Sequence, residues 1–297
     1  MPANQFICVD GRRVAISDCL KACPMKERCM FLPTLRAVAQ SLERGLKEAT
    51  VTELLAGTRE TYLKKTVNYA VRPQDVLYAL HGSSFHNIND QHTEGDILSE
   101  IRLHDAVTSG KFDLYGKILS EDDGVLGDLK VTSSYKLMKA LGIYKLDMPT
   151  GEVYKTGLRK GQEKTKKEFR YDGVKHVLDW AIQLNAYRRL LEKEGFGVKR
   201  MVIQALCRDS GLRITAERGI DKSLYLIPIY RISDRWLQRY FEKKSKALKE
   251  SLSSHELPPV CKSRERWGDR KCLRYCAVAE SCPHGQALLA EDTKTAG

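Results

Sequence analysis

The spacing of hydrophobic residues in the first third of the chain predicts three helices. Residues 34–49 place apolar side chains three and four positions apart, and Thr34 is a candidate N-cap. A second helical pattern runs from about Thr52 to Lys65. A third follows Pro73 and covers residues 74–88. The N-terminal part of the chain is therefore expected to be mainly helical.

After this region the hydrophobic pattern changes from helical to alternating, which predicts short strands. Ser109–Gly110 and Asp122–Asp123–Gly124 are turn signals between them. The predicted strands cover residues 98–104, 111–119 and 124–131.

The second half of the chain returns to long helices separated by strands. A long amphipathic helix is predicted over residues 173–194 and a charged helix over 233–252, with strands at 198–207 and 224–230 between them. Pro258–Pro259 then ends the helical pattern. This order of elements predicts an α/β protein, in which a central mixed sheet is flanked by helices.

Composition narrows the choice of function classes. The chain has 297 residues, of which 42% are hydrophobic, and uninterrupted apolar stretches reach only about five residues, so no membrane span is expected. The N-terminus lacks a secretory signal, which predicts a cytoplasmic protein. A net charge of +12 favours a polyanionic partner such as DNA, although an acidic substrate would also fit.

Eight of the nine cysteines form two groups with the same spacing, C-x10-C-x3-C-x5-C, near the two ends of the chain. In a reducing compartment such groups indicate metal sites before disulfides. The absence of close C-x2-C pairs favours [4Fe–4S] clusters, with Zn²⁺ as the alternative. The predicted ligands are Cys8, Cys19, Cys23 and Cys29 in the first group and Cys261, Cys272, Cys276 and Cys282 in the second.

Candidate catalytic residues concentrate in the predicted strands. Asp128 and Lys130 are two positions apart, so on a strand their side chains point to the same side. If the strands around Asp113 and Asp128 pair as a hairpin, the two carboxylates converge on one point. Two such carboxylates form a typical site for Mg²⁺ or Mn²⁺, and a neighbouring lysine stabilises charge on a phosphate or orients water. An isolated D-x-K on a strand, however, is more often a solvated surface pair.

These residues, taken in order, resemble the RecB-like branch of the PD-(D/E)XK nuclease superfamily. The resemblance rests on HGSSFH, GKFDLYG, GDLKVTSS and QLNAY, and it covers residues 50–195, about half of the chain. It implies a restriction-endonuclease-like core over residues 34–255 with a helical lead-in, between four-cysteine modules at 1–33 and 256–297. Some members, such as the CRISPR-associated and AddB-type exonucleases, carry one four-cysteine [4Fe–4S] cluster. This chain departs from them by having four cysteines at each end.

The resemblance also implies a role for each matching residue. A divalent cation would be held by His86, Glu100, Asp113, Asp128 and the backbone carbonyl of Leu129. His81 is the main rival of His86. Lys130 would position or help to deprotonate the attacking water, and Gln183 and Tyr187, which share one helix face, would hold Lys130 or the DNA backbone.

Residues 155–175 hold eight Lys or Arg against three acidic residues, and residues 152–172 are predicted to form a basic loop or hairpin. Such a run is often only a solvated face. The alternative is a DNA-contacting surface with aromatic residues available for stacking. The residues predicted to contact DNA are Lys160, Lys164, Lys166 and Lys167.

The leading hypothesis is a metal-dependent deoxyribonuclease that acts on single strands or DNA ends, with exonuclease action favoured by the resemblance. It would work in recombination, repair or phage DNA metabolism, with a helicase or recombination protein as a candidate partner. One alternative is a catalytically idle DNA-binding or assembly subunit with a nuclease fold. Another is a zinc-dependent transcription factor, which leaves the D-x-K and Q-x-x-x-Y residues unexplained.

Overall fold

The computed structural model describes residues 3–43, 49–119, 124–172 and 177–295, and the chain divides into two units. The first unit contains residues 1–89, 102–111 and 233–297, and the second contains residues 90–101 and 112–232. Both groups of four cysteines therefore belong to the first unit. Helices and strands are numbered in chain order below.

Helices dominate the first unit. The longest, Asp234–Ser254, buries Leu237, Phe241 and Leu248, whose spacing places them on one helix face. The helix that begins at Val51 has a capping box between Thr50 and Glu53. The helices of this unit are α1 (Ile16–Lys21), α2 (Leu32–Leu42), α3 (Val51–Leu55), α4 (Thr58–Thr66), most of α5 (Pro73–Gln91), α9 (Asp234–Ser254), α10 (Arg270–Arg274) and α11 (Pro283–Thr295).

Two small sheets complete the first unit. In the three-stranded sheet, β1 (Gln5–Ile7) lies between an antiparallel β2 (Arg13–Ala15) and a parallel β3 (Ala70–Val71). The second sheet pairs β5 (Arg102–His104) with β6 (Ser109–Lys111). One part of the core of this unit consists of Phe6, Cys19, Leu35 and Val38, so the N-terminal segment is packed rather than pendant.

The second unit is built on a five-stranded mixed sheet with the order β12-β11-β8-β7-β4. Only β8 and β11 are parallel, and β8 is buried along most of its length, as expected for a strand covered on both faces. The strands of the sheet are β4 (Leu98–Ser99), β7 (Leu114–Gly116), β8 (Val125–Thr132), β11 (Arg200–Cys207) and β12 (Leu224–Ile229).

In the part of the second unit that the structure describes, three helices and a long hairpin accompany this sheet. The helices are α6 (Ser134–Ala140), α7 (Leu178–Lys193) and α8 (Arg213–Ala216). α7 buries most of its apolar side chains, Leu184 and Leu191 among them. The hairpin pairs β9 (Ile143–Val153) with β10 (Glu163–Tyr171). The predicted mixed α/β class, with mixed sheets flanked by helices, is confirmed.

Several predicted boundaries differ from the structure. The helix predicted from Thr52 to Lys65 is interrupted at Ala56–Gly57, where a side chain in place of Gly57 would collide with the Cys261 thiol. The strand predicted over 98–104 breaks at Glu100, whose backbone is left-handed (φ 52°). The strand predicted over 111–119 is likewise divided, into β6 and β7.

Other differences concern elements that the pattern did not predict or did not delimit. The elements that were not predicted are α1, α6, α8, α10, α11 and strands β1 to β3. The basic region predicted as a loop or hairpin is a hairpin that already begins at Ile143. The predicted start of the long helix, the end of the first predicted helix and the Asp122–Asp123 turn lie outside the described residues. Within the described ranges, no helix is both long and apolar enough to cross a lipid bilayer.

Candidate functional site

The register of two strands in the second unit brings Asp113 and Asp128 together. Leu114 pairs with Gly127 in the antiparallel β7–β8 ladder, so continuing the register by one residue places Asp113 opposite Asp128. Directly opposed residues of an antiparallel pair lie on one face of the sheet. Both aspartates are buried, and Asp113 Oδ2 accepts a hydrogen bond from the backbone N–H of Leu129 at 2.6 Å.

Lys130 lies on the same side of β8 as Asp128, because side chains alternate along a strand. Its Nζ is 2.6 Å from Asp128 Oδ2 and 3.4 Å from Gln183 Oε1. Gln183 Nε2 in turn donates a hydrogen bond to the Tyr187 hydroxyl at 2.9 Å. Gln183 and Tyr187 are one helical turn apart on α7. This helix therefore supplies both the amide that contacts Lys130 and the hydroxyl that contacts the amide.

The charges of this site act on the pKa of two of its members. Burial lowers the pKa of Lys130, but the carboxylates of Asp128 and Asp113 outweigh burial, and the net effect is a raised pKa. Burial raises the pKa of Tyr187, and the hydrogen bond from Gln183 opposes it only in part. At neutral pH the site therefore contains a lysine ammonium group and a neutral tyrosine hydroxyl beside two carboxyl groups.

Glu100 adds a third carboxylate next to Asp113. Its backbone N–H donates a hydrogen bond to the Asp113 carbonyl oxygen at 3.0 Å, and a carboxylate oxygen of each residue lies within 4.8 Å of the other. The left-handed backbone of Glu100 ends β4 at this point. Carboxylate oxygens are the donors preferred by Mg²⁺ and Mn²⁺, so the donor set of the second unit fits such a cation.

The other predicted ligands remain predictions. His86 is half-buried on α5 in the first unit, and its rival His81 is exposed on the same helix. The role of the Leu129 carbonyl is likewise untested; the structure shows its N–H bound to Asp113.

The four lysines predicted to contact DNA belong to the hairpin of the second unit. Lys160 lies in the loop that joins β9 and β10, and the other three lie on β10. Lys164 pairs with Glu152 at 2.9 Å, and Lys166 pairs with Glu168 at 2.9 Å, so part of the positive charge is balanced within the hairpin.

The N-terminal cysteines lie in neighbouring segments of the first unit. Cys8 follows β1, Cys19 is buried in α1, and Cys23 and Cys29 lie in the segment before α2. Burial raises the pKa of the Cys19 thiol, and the negative charges of the other three cysteines, when ionised, raise that pKa further. Thiolate sulfur is the ligand type that soft and borderline metal ions prefer, so the residue types of this group suit such an ion.

The C-terminal cysteines line one cleft in the same unit. Burial is the largest cause that raises the pKa of Cys276, to about 11. Arg59 Nη1 donates to Cys282 Sγ at 3.8 Å, and Arg266 and Lys271 also line the cleft. If the cleft held a metal, these cations would balance part of the negative charge on its thiolate ligands. The four thiols therefore also fit a sulfur-ligated metal group.

Two candidate ligands beside Cys272, Asp269 and His284, were not found from the sequence. Ligand atoms of Asp269, Cys272 and His284 lie within 4.8 Å of one another, and His284 Nε2 is 2.8 Å from Asp269 Oδ1. The sequence feature that could have revealed His284 as a candidate ligand is its position two residues after Cys282. Glu60 on α4 was also missed; it is buried at the edge of the cleft and contacts Lys64 and Lys271.

Comparison with known proteins does not establish a family. No protein-family model matches the chain, and no curated protein matches it. Among solved structures, the chain is similar to the crystal structure of SSO0001, with 12% sequence identity and a TM-score of 0.42. The match covers 84% of this chain and 94% of that chain. A similarity of this size carries no inference about fold or activity.

Proposed function

We propose that the chain is a metal-dependent DNA nuclease whose catalytic residues lie in the second unit. The observation that carries the proposal is the contact set around β8. Asp113 binds the Leu129 N–H, Asp128 pairs with Lys130, and Lys130 contacts Gln183. The net charge of +12 is consistent with a nucleic-acid substrate.

Asp113 and Asp128 are the proposed ligands of one divalent cation, and Glu100 completes the set directly or through water. A bound Mg²⁺ or Mn²⁺ would polarise the phosphate and lower the pKa of a bound water. His86 and the Leu129 carbonyl enter this proposal only through the resemblance to RecB-like nucleases. Because all three carboxylates supply hard oxygen donors, the second-unit residues alone favour Mg²⁺ or Mn²⁺ over softer ions.

Lys130 is proposed to act as an ammonium group. In that form it donates hydrogen bonds from Nζ to an attacking water or to a phosphate oxygen, and it stabilises negative charge in the transition state. Asp128 and Gln183 fix the position of Nζ, while Tyr187 holds the Gln183 amide. These contacts restrict the lysine to one orientation, which a positioned catalytic group requires.

The decisive experiment measures Mg²⁺- and Mn²⁺-dependent digestion of linear single-stranded and double-stranded DNA. Asp113→Ala, Asp128→Ala and Lys130→Ala should each slow cleavage by at least about a hundredfold. Lys222→Ala removes an exposed lysine elsewhere in the second unit and should cleave like the unmodified protein. Circular dichroism checks that the variants fold.

Two results would contradict the proposal. Cleavage by Lys130→Ala at the unmodified rate would exclude the assigned role of the lysine. DNA binding without cleavage by the unmodified protein, with either metal, would instead favour an idle DNA-binding or assembly subunit.

We also propose that each group of four cysteines binds a [4Fe–4S] cluster, with zinc as the alternative. The support is that the charges of three N-terminal cysteines act on Cys19, and that the four C-terminal cysteines line one cleft together with cationic side chains. Anaerobically purified protein should contain about eight iron atoms per chain, and Cys276→Ser should lose about half of them. Cys207→Ser, a buried cysteine outside both groups, is the control and should lose none. Zinc in place of iron would overturn the cluster assignment.

A further inference from the structure

Two aromatic side chains of the C-terminal segment are exposed side by side. Trp267 is 57% exposed and Tyr275 is 60% exposed. Their ring centroids are 5.6 Å apart, and the ring planes are tilted by 57°. We call this pair the aromatic platform. Exposed aromatic rings offer flat apolar faces against which another ring can stack.

The backbone holds Trp267 in a costly conformation. Trp267, Gly268 and Asp269 are consecutive residues with positive φ values of 53°, 60° and 75°. For a residue with a side chain, the left-handed region costs about 1–2 kcal/mol. The Asp269 carboxylate compensates by binding Arg266 and His284, and the Gly268 N–H donates to the Ser263 carbonyl at 2.9 Å. Strain maintained in this way is typical of functional segments.

The surface around the aromatic platform is basic. Residues 262–274 contain six Lys or Arg and two acidic residues. Both acidic side chains are engaged within the unit, Glu265 with Lys244 and Asp269 with Arg266. Lys271 Nζ lies 5.7 Å from the centroid of the Trp267 ring. The exposed basic side chains of this segment are Lys262, Arg264, Arg270 and Arg274, and Arg274 pairs with Asp292 at 3.2 Å.

We propose that the aromatic platform is a binding site for single-stranded DNA. Unpaired bases would stack on Trp267 and Tyr275, and the exposed basic side chains would contact the phosphates. Duplex DNA does not offer free base faces to these rings, so the site should prefer single strands. This binding requires neither the carboxylates of the second unit nor cleavage, and it extends the function beyond the proposed nuclease site.

Fluorescence anisotropy with labelled dT20 tests this assignment. No divalent cation is added, so that the result is independent of any nuclease activity. Trp267→Ala and Tyr275→Ala should each weaken dT20 binding by about tenfold, within the range found for one stacked base. Trp267→Phe, which keeps an aromatic ring, should retain most of the affinity. Phe31→Ala removes an 85% exposed ring in the same unit and is the matched control.

A 20-base-pair duplex and a salt titration complete the experiment. The aromatic variants should bind the duplex as the unmodified protein does. Replacing both Arg264 and Arg270 by Gln should reduce the slope of log affinity against log salt by about 0.7 for each phosphate that is no longer neutralised. Unchanged dT20 affinity in Trp267→Ala would overturn the proposal. So would an equal loss of affinity for dT20 and duplex, or an equal loss in the Phe31→Ala control.

Discussion

Glu60 on α4 is a buried carboxylate between two lysines, and its replacement by glutamine tests how the C-terminal segment is held. Glu60 is 6% exposed; its carboxylate oxygens lie 2.7 Å from Lys64 Nζ and 2.5 Å from Lys271 Nζ. Lys271 belongs to α10, next to Cys272. Glu60→Gln keeps the volume of the side chain but removes the negative charge that the ammonium groups of both lysines contact.

The expected loss of stability follows from the burial of the three side chains. Removing one partner of a buried ion pair costs about 3–5 kcal/mol. The lysines remain partly exposed, Lys64 at 32% and Lys271 at 18%. Because water can still reach both ammonium groups, the free energy of unfolding should fall by about 3 kcal/mol, the lower limit of that range.

Urea denaturation followed by circular dichroism measures this loss. The matched control is Glu250→Gln, which breaks the exposed Lys246–Glu250 pair of α9 at 3.7 Å. That pair should contribute about 0.5 kcal/mol or less. Equal destabilisation by the two variants would refute the assignment of Glu60 as a buried charge anchor.

The pH dependence of the Glu60 variant has a definite sign. Burial raises the pKa of Glu60, but Lys64 and Lys271 outweigh burial, and the folded-state pKa is lowered below the ordinary value of 4.5. Glu60 therefore stabilises the fold fully above the ordinary pKa. This contribution is lost as the pH falls through the lowered pKa. The difference in stability between Glu60→Gln and the unmodified protein should narrow below pH 4.5, and a constant difference would contradict this linkage.

Three further predictions concern the second unit. Gly116→Ala should lower the melting temperature more than Gly151→Ala. A Cβ at Gly116 would lie 2.5 Å from the backbone oxygen of Asp96, whereas a Cβ at Gly151 would meet nothing within 4 Å, so an equal effect at the two positions would contradict this reasoning. Tyr187→Phe should slow DNA cleavage by up to about tenfold through loss of the hydrogen bond to Gln183, with an unchanged circular dichroism spectrum. Neutralising four hairpin lysines together should weaken DNA binding and flatten its salt dependence, and an unchanged salt slope would exclude the hairpin as a DNA surface. Those lysines are Lys160, Lys164, Lys166 and Lys167.

The candidate site shows where prediction from the sequence succeeded and where it stopped. The shared side of Asp128 and Lys130 and the shared face of Gln183 and Tyr187 follow from backbone periodicity, and the structure has both pairs in contact. The sequence predicted that Asp113 lies near Asp128 only if the strands that carry the two residues pair with each other. The break at Glu100 was not predicted, because a left-handed residue other than glycine leaves little trace in a hydrophobic pattern.

The sequence by itself determined the mixed α/β class, the positions of α2 to α5, α7 and α9, the strands of the five-stranded sheet, and the grouping of eight cysteines into two equally spaced sets. These features depend on the local geometry of helices and strands and on spacing along the chain. Only the tertiary structure decided that Asp113 lies opposite Asp128, that Glu60 is buried against Lys271, and that an exposed Trp267 adjoins Tyr275. These contacts join residues from 8 to 211 positions apart. Their formation depends on strand register and on the burial of whole elements, which no local pattern specifies.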